Sequence, residues 1–143
     1  MRILNPLRAA AAGLAIVAAS PALAASETAP RHETVTPLAS ALIPNIPGKR
    51  LVPVVVDYPP GVRSAPHRHA RSAFIYAYVV SGAVRSAVDG QTPRVYHAGE
   101  GWYEVPGAHH TVSENASATQ PARLLAVFVV DDNDKQLTTM DPH

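Results

Sequence analysis

The chain has 143 residues, a formal net charge of +1 and no cysteine. So small a net charge does not indicate the basic surface that nucleic-acid binding needs, and we expect no nucleic-acid partner. Without cysteine the fold cannot rely on disulfides, and the chain can offer neither a thiolate ligand to a metal nor a cysteine nucleophile. The length favours a single domain.

Residues 1–24 have the pattern of a secretory signal peptide. Arg2 and Arg8 form a basic start, a small and apolar run covers residues 9–19, and Ala22-Leu23-Ala24 offers a small-x-small cleavage site. The apolar run is shorter than the roughly 20 residues that a membrane-spanning helix needs. We therefore expect export to the periplasm or the medium, with no membrane association after cleavage. Loss of the two arginines would change the formal charge from +1 to −1.

Residues 25–50 are predicted to form an N-terminal tail and an extended arm. The stretch is small and polar as far as Thr36, and three prolines then fall within residues 37–48. Proline inside a helix removes a backbone hydrogen bond and clashes with the preceding turn, so this segment is not predicted to be helical.

Residues 51–131 alternate between short β-branched or aromatic runs and turns rich in Gly, Pro or Asn. Strands at such spacing are typical of an all-β sandwich or barrel. The predicted strands are residues 51–57, 73–80, 83–88, 94–97, 101–105, 110–113 and 123–130. We predict one all-β barrel over residues 51–131, followed by a C-terminal tail over residues 132–143.

Histidines in two places form a candidate metal site. His67 and His69 are two residues apart, so on a strand they point to the same face. A third histidine from another strand, His110 or its neighbour His109, would complete the set. Neutral imidazole suits Fe, Mn, Zn, Ni or Cu. Two histidines at this spacing also occur by chance as ordinary surface or core residues.

The spacing around these histidines resembles the two motifs of the cupins, G-x5-H-x-H-x3/4-E-x6-G and G-x5-P-x-G-x2-H-x3-N. The matching residues are Gly61, His67, His69 and Gly82 in the first motif and Gly99, Gly107 and His110 in the second. The resemblance implies a single-domain double-stranded β-helix, or jelly roll, with a divalent transition metal in its mouth. It selects His110 rather than His109 as the third ligand, and it implies a homodimer.

Two positions depart from the cupin motifs. The first motif's glutamate falls at Ala73 or Phe74, or at Ile75 by the downstream spacing, and none of these can bind a metal. Val105 replaces a proline in the second motif. The site could therefore use three histidines alone, as in some cupin thiol dioxygenases. It could take an oxygen from Glu104, which could equally face solvent, or it could be empty.

Aromatic and basic residues near the histidines are candidates for a substrate pocket. Tyr76, Tyr78 and Tyr103 could line the cavity, fill the core or form a dimer face, and Arg71 could hold a carboxylate at the mouth or be simply solvated. Both faces of residues 73–80 are apolar, which predicts that both are buried, one of them against a partner subunit.

These features predict an exported protein that binds a divalent metal through three histidines. Three neutral ligands would leave the full +2 charge on the ion and favour an anionic or chelating small-molecule substrate. A metal-dependent enzyme of the oxygenase or lyase type fits an open metal position. The alternatives are a non-enzymatic ligand- or metal-binding cupin and a metal-free structural cupin.

Overall fold

The computed structural model describes residues 31–142, and every regular element in that range is a β-strand. The strands are β1 (Thr34–Pro37), β2 (Ala41–Leu42), β3 (Lys49–Tyr58), β4 (His67–His69), β5 (Phe74–Ser81), β6 (Ala83–Val88), β7 (Arg94–His97), β8 (Gly101–Glu104), β9 (His109–Asn115), β10 (Ala122–Asp131) and β11 (Thr138–Met140). The predicted signal peptide lies outside the described residues. Within residues 31–142, no helix is long and apolar enough to cross a membrane.

Two antiparallel sheets face each other. The larger sheet has the order β1-β3-β10-β5-β8, with β2 also paired to β3, and the smaller sheet has the order β11-β4-β9-β6-β7. Successive strands often change sheet, which confirms the predicted all-β jelly roll.

The turns that the sequence predicts occur where expected. Asp89 and Gly90 both have positive φ, at 49° and 75°, and the Gln91 N–H donates to the Val88 carbonyl at 3.0 Å. Positive φ at both central positions is the geometry of a type I′ turn, which Asp-Gly favours. At Gly82, also with positive φ, the chain passes from the larger to the smaller sheet, and a Cβ there would lie 2.4 Å from the Pro121 carbonyl oxygen.

Both ends of the described chain belong to the barrel. The predicted N-terminal arm contains β1 and β2, which pair with β3, and the predicted C-terminal tail contains β11, which pairs with β4. These strands cover backbone groups of β3 and β4 that would otherwise stand unpaired at a sheet edge. They have two to four residues and carry little periodic signal, so the sequence did not distinguish them from tails.

Within this chain one face of β5 is buried, and the predicted burial of the other face against a partner subunit stays a prediction. Ile75, Ala77 and Val79 point into the barrel and are at most 1% exposed. Phe74 and Tyr76 point outward and are 43% and 38% exposed. The inward side chains are the smaller ones, and this difference in size leaves space between the two sheets.

Candidate metal centre

The two histidine motifs meet because β4 and β9 are neighbours in the smaller sheet. His67 is directly opposite His110, and Arg68 is opposite His109. Cross-strand partners have Cβ atoms about 4.5–5.5 Å apart. The pairing register therefore brings together histidines that are more than forty positions apart in the sequence.

Strand alternation sorts these residues between the inside and the outside of the barrel. His67 and His69 face the cavity between the sheets, whereas Arg68 between them is exposed. His110 is buried and also faces the cavity. His109 instead contacts Asp141, with 2.7 Å between Nε2 and Oδ2. The structure thus brings His110, and not His109, to the other two histidines.

The three inward rings form one cluster. Ring centroids are 4.9 Å apart for His67 and His69, 5.1 Å for His67 and His110, and 6.0 Å for His69 and His110. One ring nitrogen from each residue lies within 4.8 Å of the others. The Nδ1 of His67 is 2.8 Å from the Ala65 carbonyl, which can only accept, so Nδ1 carries the proton and Nε2 is free to bind.

Glu104 lies against this cluster rather than in solvent. It is 3% exposed, and its Oε2 lies 3.0 Å from the Nε2 of His69. Its Oε1 accepts a hydrogen bond from the Trp102 indole at 2.9 Å and lies 3.5 Å from the Nδ1 of His110. Among residues 31–142, no donor reaches Oε2 with hydrogen-bond geometry, because the close contact with His69 is poorly directed.

The position of Glu104 compensates for the missing glutamate of the first motif. Ile75 occupies the expected stretch of β5 and points into the cavity. Glu104 on β8 is its direct cross-strand partner, so the carboxylate enters the same cavity from the adjacent strand.

Burial sets the charge states of the cluster. It lowers the pKa of His110 to about 4, against the opposing attraction of the Glu104 carboxylate. It also lowers the pKa of His67, although the hydrogen bond to Ala65 works in the other direction. Burial by itself raises the pKa of Glu104, but the contacts with His69, His110 and Trp102 together hold it below its usual range. At neutral pH His67 and His110 are therefore neutral and Glu104 is ionised, as metal binding requires.

The cluster lies in the wall of a cavity of about 350 Å³ between the two sheets. The larger sheet contributes inward side chains of β1, β3, β5, β8 and β10, and the smaller sheet contributes those of β4, β9 and β11. The two terminal strands, β1 and β11, thus form part of the cavity.

The other candidate pocket residues do not border this cavity. Tyr76, Tyr78 and Tyr103 lie on the outer face of β5 and β8, where Tyr103 is 67% exposed. Arg71 is exposed and lies beside Gly107. The alternation of β5 explains this difference from the expectation, since Ile75 and the tyrosines cannot face the same side.

Sequence reasoning missed two residues that hold the cluster in place. The Ser86 hydroxyl lies 2.9 Å from the Nε2 of His110, and Trp102 fixes one oxygen of Glu104. A signal existed for Trp102, because it lies two positions before Glu104 and therefore on the same face of β8. Ser86 carries no such signal, because it reaches His110 only through the pairing of β6 with β9.

The donors fit a divalent transition metal. Ring nitrogens of His67, His69 and His110 lie within 4.8 Å of one another in the cavity wall, and the buried Glu104 carboxylate contacts His69 and His110. This is a nitrogen-rich set with one hard oxygen, which suits first-row metals such as Fe, Mn, Zn, Ni or Cu.

Comparison with known proteins agrees with this geometry. Residues 54–128 match the family described as Cupin domain. The chain belongs to the cupin family. No functionally curated protein gives a significant match.

Solved cupin structures share the fold at low sequence identity. A Methanocaldococcus jannaschii cupin, described as RmlC-like with a double-stranded β-helix fold, is 14% identical; the match covers 72% of this chain and 84% of that one, with a TM-score of 0.56. An oxalate oxidase in complex with the substrate analogue glycolate is 24% identical, covering 78% and 56%, with a TM-score of 0.58. The DMSP lyase DddQ of Ruegeria pomeroyi is 19% identical, covering 63% and 42%, with a TM-score of 0.52.

These likenesses establish the fold, not the reaction. The cupin chain described here spans about half of the oxalate oxidase and less than half of the lyase. Its activity must therefore be inferred from its own site.

Proposed function

We propose that this cupin is an exported metal-dependent enzyme that converts a small molecule in the cavity between its sheets. The metal would be held by His67, His69, His110 and Glu104. The observation that carries the proposal is the buried Glu104 carboxylate beside the histidine cluster, with Oε2 3.0 Å from the Nε2 of His69 and Oε1 3.5 Å from the Nδ1 of His110. Burying an ionised carboxylate costs free energy of folding unless a compensating charge lies beside it.

The protein residues have separable roles in this proposal. His67 would bind through Nε2, because the Ala65 carbonyl holds the proton on Nδ1. Trp102 holds Oε1 of Glu104, which leaves Oε2 toward His69 and the cavity. Ser86 orients the ring of His110. A bound metal would supply Lewis acidity or redox chemistry at this end of the cavity.

Oxygenase and lyase chemistry are the two reaction classes we propose to test first. Oxygen consumption reports the first class, and release of a leaving group without oxygen uptake reports the second. We expect turnover of a small apolar substrate that disappears in His110→Ala, while far-UV circular dichroism and the melting temperature of that variant show an intact fold. Saturable ligand binding without turnover would favour the alternative, a non-enzymatic binding cupin.

Export follows from residues 1–24 and is tested separately. We expect the protein recovered from the periplasm or medium of the producing cell to begin at Ala25, as measured by intact mass. Full-length protein retained in the cytoplasm would contradict this part of the proposal.

A homodimer through the outer face of the larger sheet completes the proposal. Pro53, Val127, Tyr76 and Tyr103 form one row across four strands of that face. Ion pairs frame the face at its two ends, and each has 2.6 Å between its atoms. They are Lys49–Asp131 and Asp57–Arg123. An apolar centre with a polar rim is the composition of a protein interface, and opposite charges at the two ends allow a second copy to pair across a two-fold axis.

A further inference from the structure

The walls of the cavity are almost entirely hydrocarbon away from the metal centre. Aliphatic and aromatic side chains of both sheets and of both terminal strands contribute to them. These are Val35, Pro37, Val54, Val56, Ile75, Ala77, Leu124, Ala126, Phe128, Leu137 and Met140. Such walls favour the apolar part of a ligand by removing it from water.

The hydroxyl groups of the cavity contact one another or a histidine. The Tyr58 hydroxyl lies 2.7 Å from that of Ser113 and 3.2 Å from that of Ser64. The Thr138 hydroxyl lies 3.5 Å from the Nδ1 of His69. A ligand with several polar groups would leave some of them unpaired in the cavity, at about 1–3 kcal/mol each.

No cationic side chain in the described part of the chain lines this cavity. Its formally charged residues are both acids, Glu33 and Glu104. Arg71, the candidate for holding a carboxylate, is exposed and does not border it, and the same is true of Arg68. A second negative charge on a ligand, away from the metal, would therefore meet no cationic side chain in the cavity wall.

The charge of the metal centre limits how much negative charge the metal-binding group of a ligand can carry. A divalent ion with three neutral histidines keeps its full +2 charge, but the ionised Glu104 reduces the net charge of the centre to about +1. The expectation of an anionic or chelating substrate was based on the full +2 charge. With Glu104 present, the centre can balance one negative charge.

The volume sets the size of the ligand. An engineered apolar cavity of about 150 Å³ accepts benzene, which has six non-hydrogen atoms. A cavity of about 350 Å³ then holds about 14 such atoms by the same ratio.

From these features we propose that the substrate is a compact apolar molecule with a single metal-binding oxygen, of the phenol or enol class, and not a di-anionic acid. The proposal rests on the metal-dependent function proposed above and specifies its substrate class. The oxygen binds at the histidine end, where it carries at most one negative charge. The apolar body lies between β3, β10 and β5.

Calorimetric titration of the metal-loaded mature chain tests the proposal with p-cresol and malonate as probes. We expect saturable binding of p-cresol that is at least tenfold tighter than that of malonate. Equal or tighter binding of malonate, or no binding of p-cresol to metal-loaded protein, would overturn the proposal.

Further variants test the walls and the charge. Ala126→Phe fills the cavity and should weaken p-cresol binding at least tenfold with the metal content unchanged, whereas Val95→Phe on the exposed β7 should change neither. If Ala126→Phe does not fold, Ala77→Leu on β5 tests the same wall. Glu33→Lys should strengthen malonate binding several-fold, and an unchanged malonate affinity would contradict the charge argument.

The experiment also separates this proposal from the proposed function. If the chain takes up no metal, the proposed function fails. p-Cresol should then still bind, more weakly, because the hydrocarbon walls select its body, and shifts of the Phe128 and Ile75 side-chain resonances would report it. If the chain holds metal but prefers malonate, the substrate class alone is wrong.

Discussion

The inner and outer faces of the larger sheet are both apolar, yet the inner face lines the cavity and the outer face is the candidate dimer interface. On β5 the inward residues Ile75, Ala77 and Val79 are small or aliphatic, and the outward residues Phe74 and Tyr76 are large and aromatic. The inner face encloses a cavity with one polar end, whereas the outer face is open and framed by ion pairs. On β5, the size of the side chains, rather than their hydrophobicity, therefore separates the cavity wall from the candidate interface.

The largest expected effect is on the stability of the inner face. Val130 is fully buried on β10, and Val130→Asp would place a carboxylate there without a partner. We expect it to lower the free energy of unfolding by about 4 kcal/mol or more, which removes most of the stability of a typical domain. Val127→Asp, on the outer face of the same strand, should cost about 1 kcal/mol. Urea unfolding of both variants measures the difference, and equal losses would contradict the assignment of faces.

Metal affinity gives the next largest effect. Glu104→Gln keeps the shape of the side chain but removes its charge, and we expect the metal dissociation constant to rise about 10–100-fold. Glu114→Gln is the matched control, because Glu114 lies on the outside of β9 and pairs with Arg85 at 2.8 Å. Competition with a chromogenic chelator measures both constants. An unchanged constant in Glu104→Gln would show that this carboxylate does not bind the metal.

Subunit association should change only when residues on the outer face of the larger sheet are substituted. We expect Tyr76→Asp to shift the homodimer to monomer, because it places a charge in the middle of the apolar row. Sedimentation velocity over a range of concentrations measures the shift. A wild-type chain that is monomeric at all concentrations would contradict the proposed homodimer but not the proposed metal centre.

The smallest effect is expected at the outward histidine. His109 and Asp141 are partly exposed, with 2.7 Å between Nε2 and Oδ2. Partly exposed pairs of this kind contribute about 0–1 kcal/mol, so Asp141→Asn should change the free energy of unfolding by less than about 1 kcal/mol. A larger loss in thermal unfolding would mean that this pair anchors β11 to the barrel.

The sequence predicted those parts of the molecule that depend on local spacing. Strands β6 and β7 were predicted at their observed bounds, because turn residues flank each run. His67, His69 and His110 were predicted together because alternation and the two motifs constrain the same residues. Export and the homodimer remain predictions.

The features that were not predicted depend on which strands pair, and local spacing in the sequence does not reveal that pairing. β11 is visible only through its pairing with β4, and Ser86 only through the pairing of β6 with β9. Tyr76 and Ile75 are both apolar enough for a core, so hydrophobicity could not say which of them faces the cavity. The inward position of Glu104 was one of two open readings, and its contact with Trp102 decides between them.

Metal analysis of the untagged mature chain tests the central claim most directly, with His110→Ala compared to His109→Ala. These neighbours lie on one strand and point to opposite sides, so their substitutions differ only in the face that they change. We expect about one first-row divalent ion per chain in the wild type and in His109→Ala, and none in His110→Ala. No metal in the wild type after incubation with each candidate ion, or equal metal in the two variants, would contradict it.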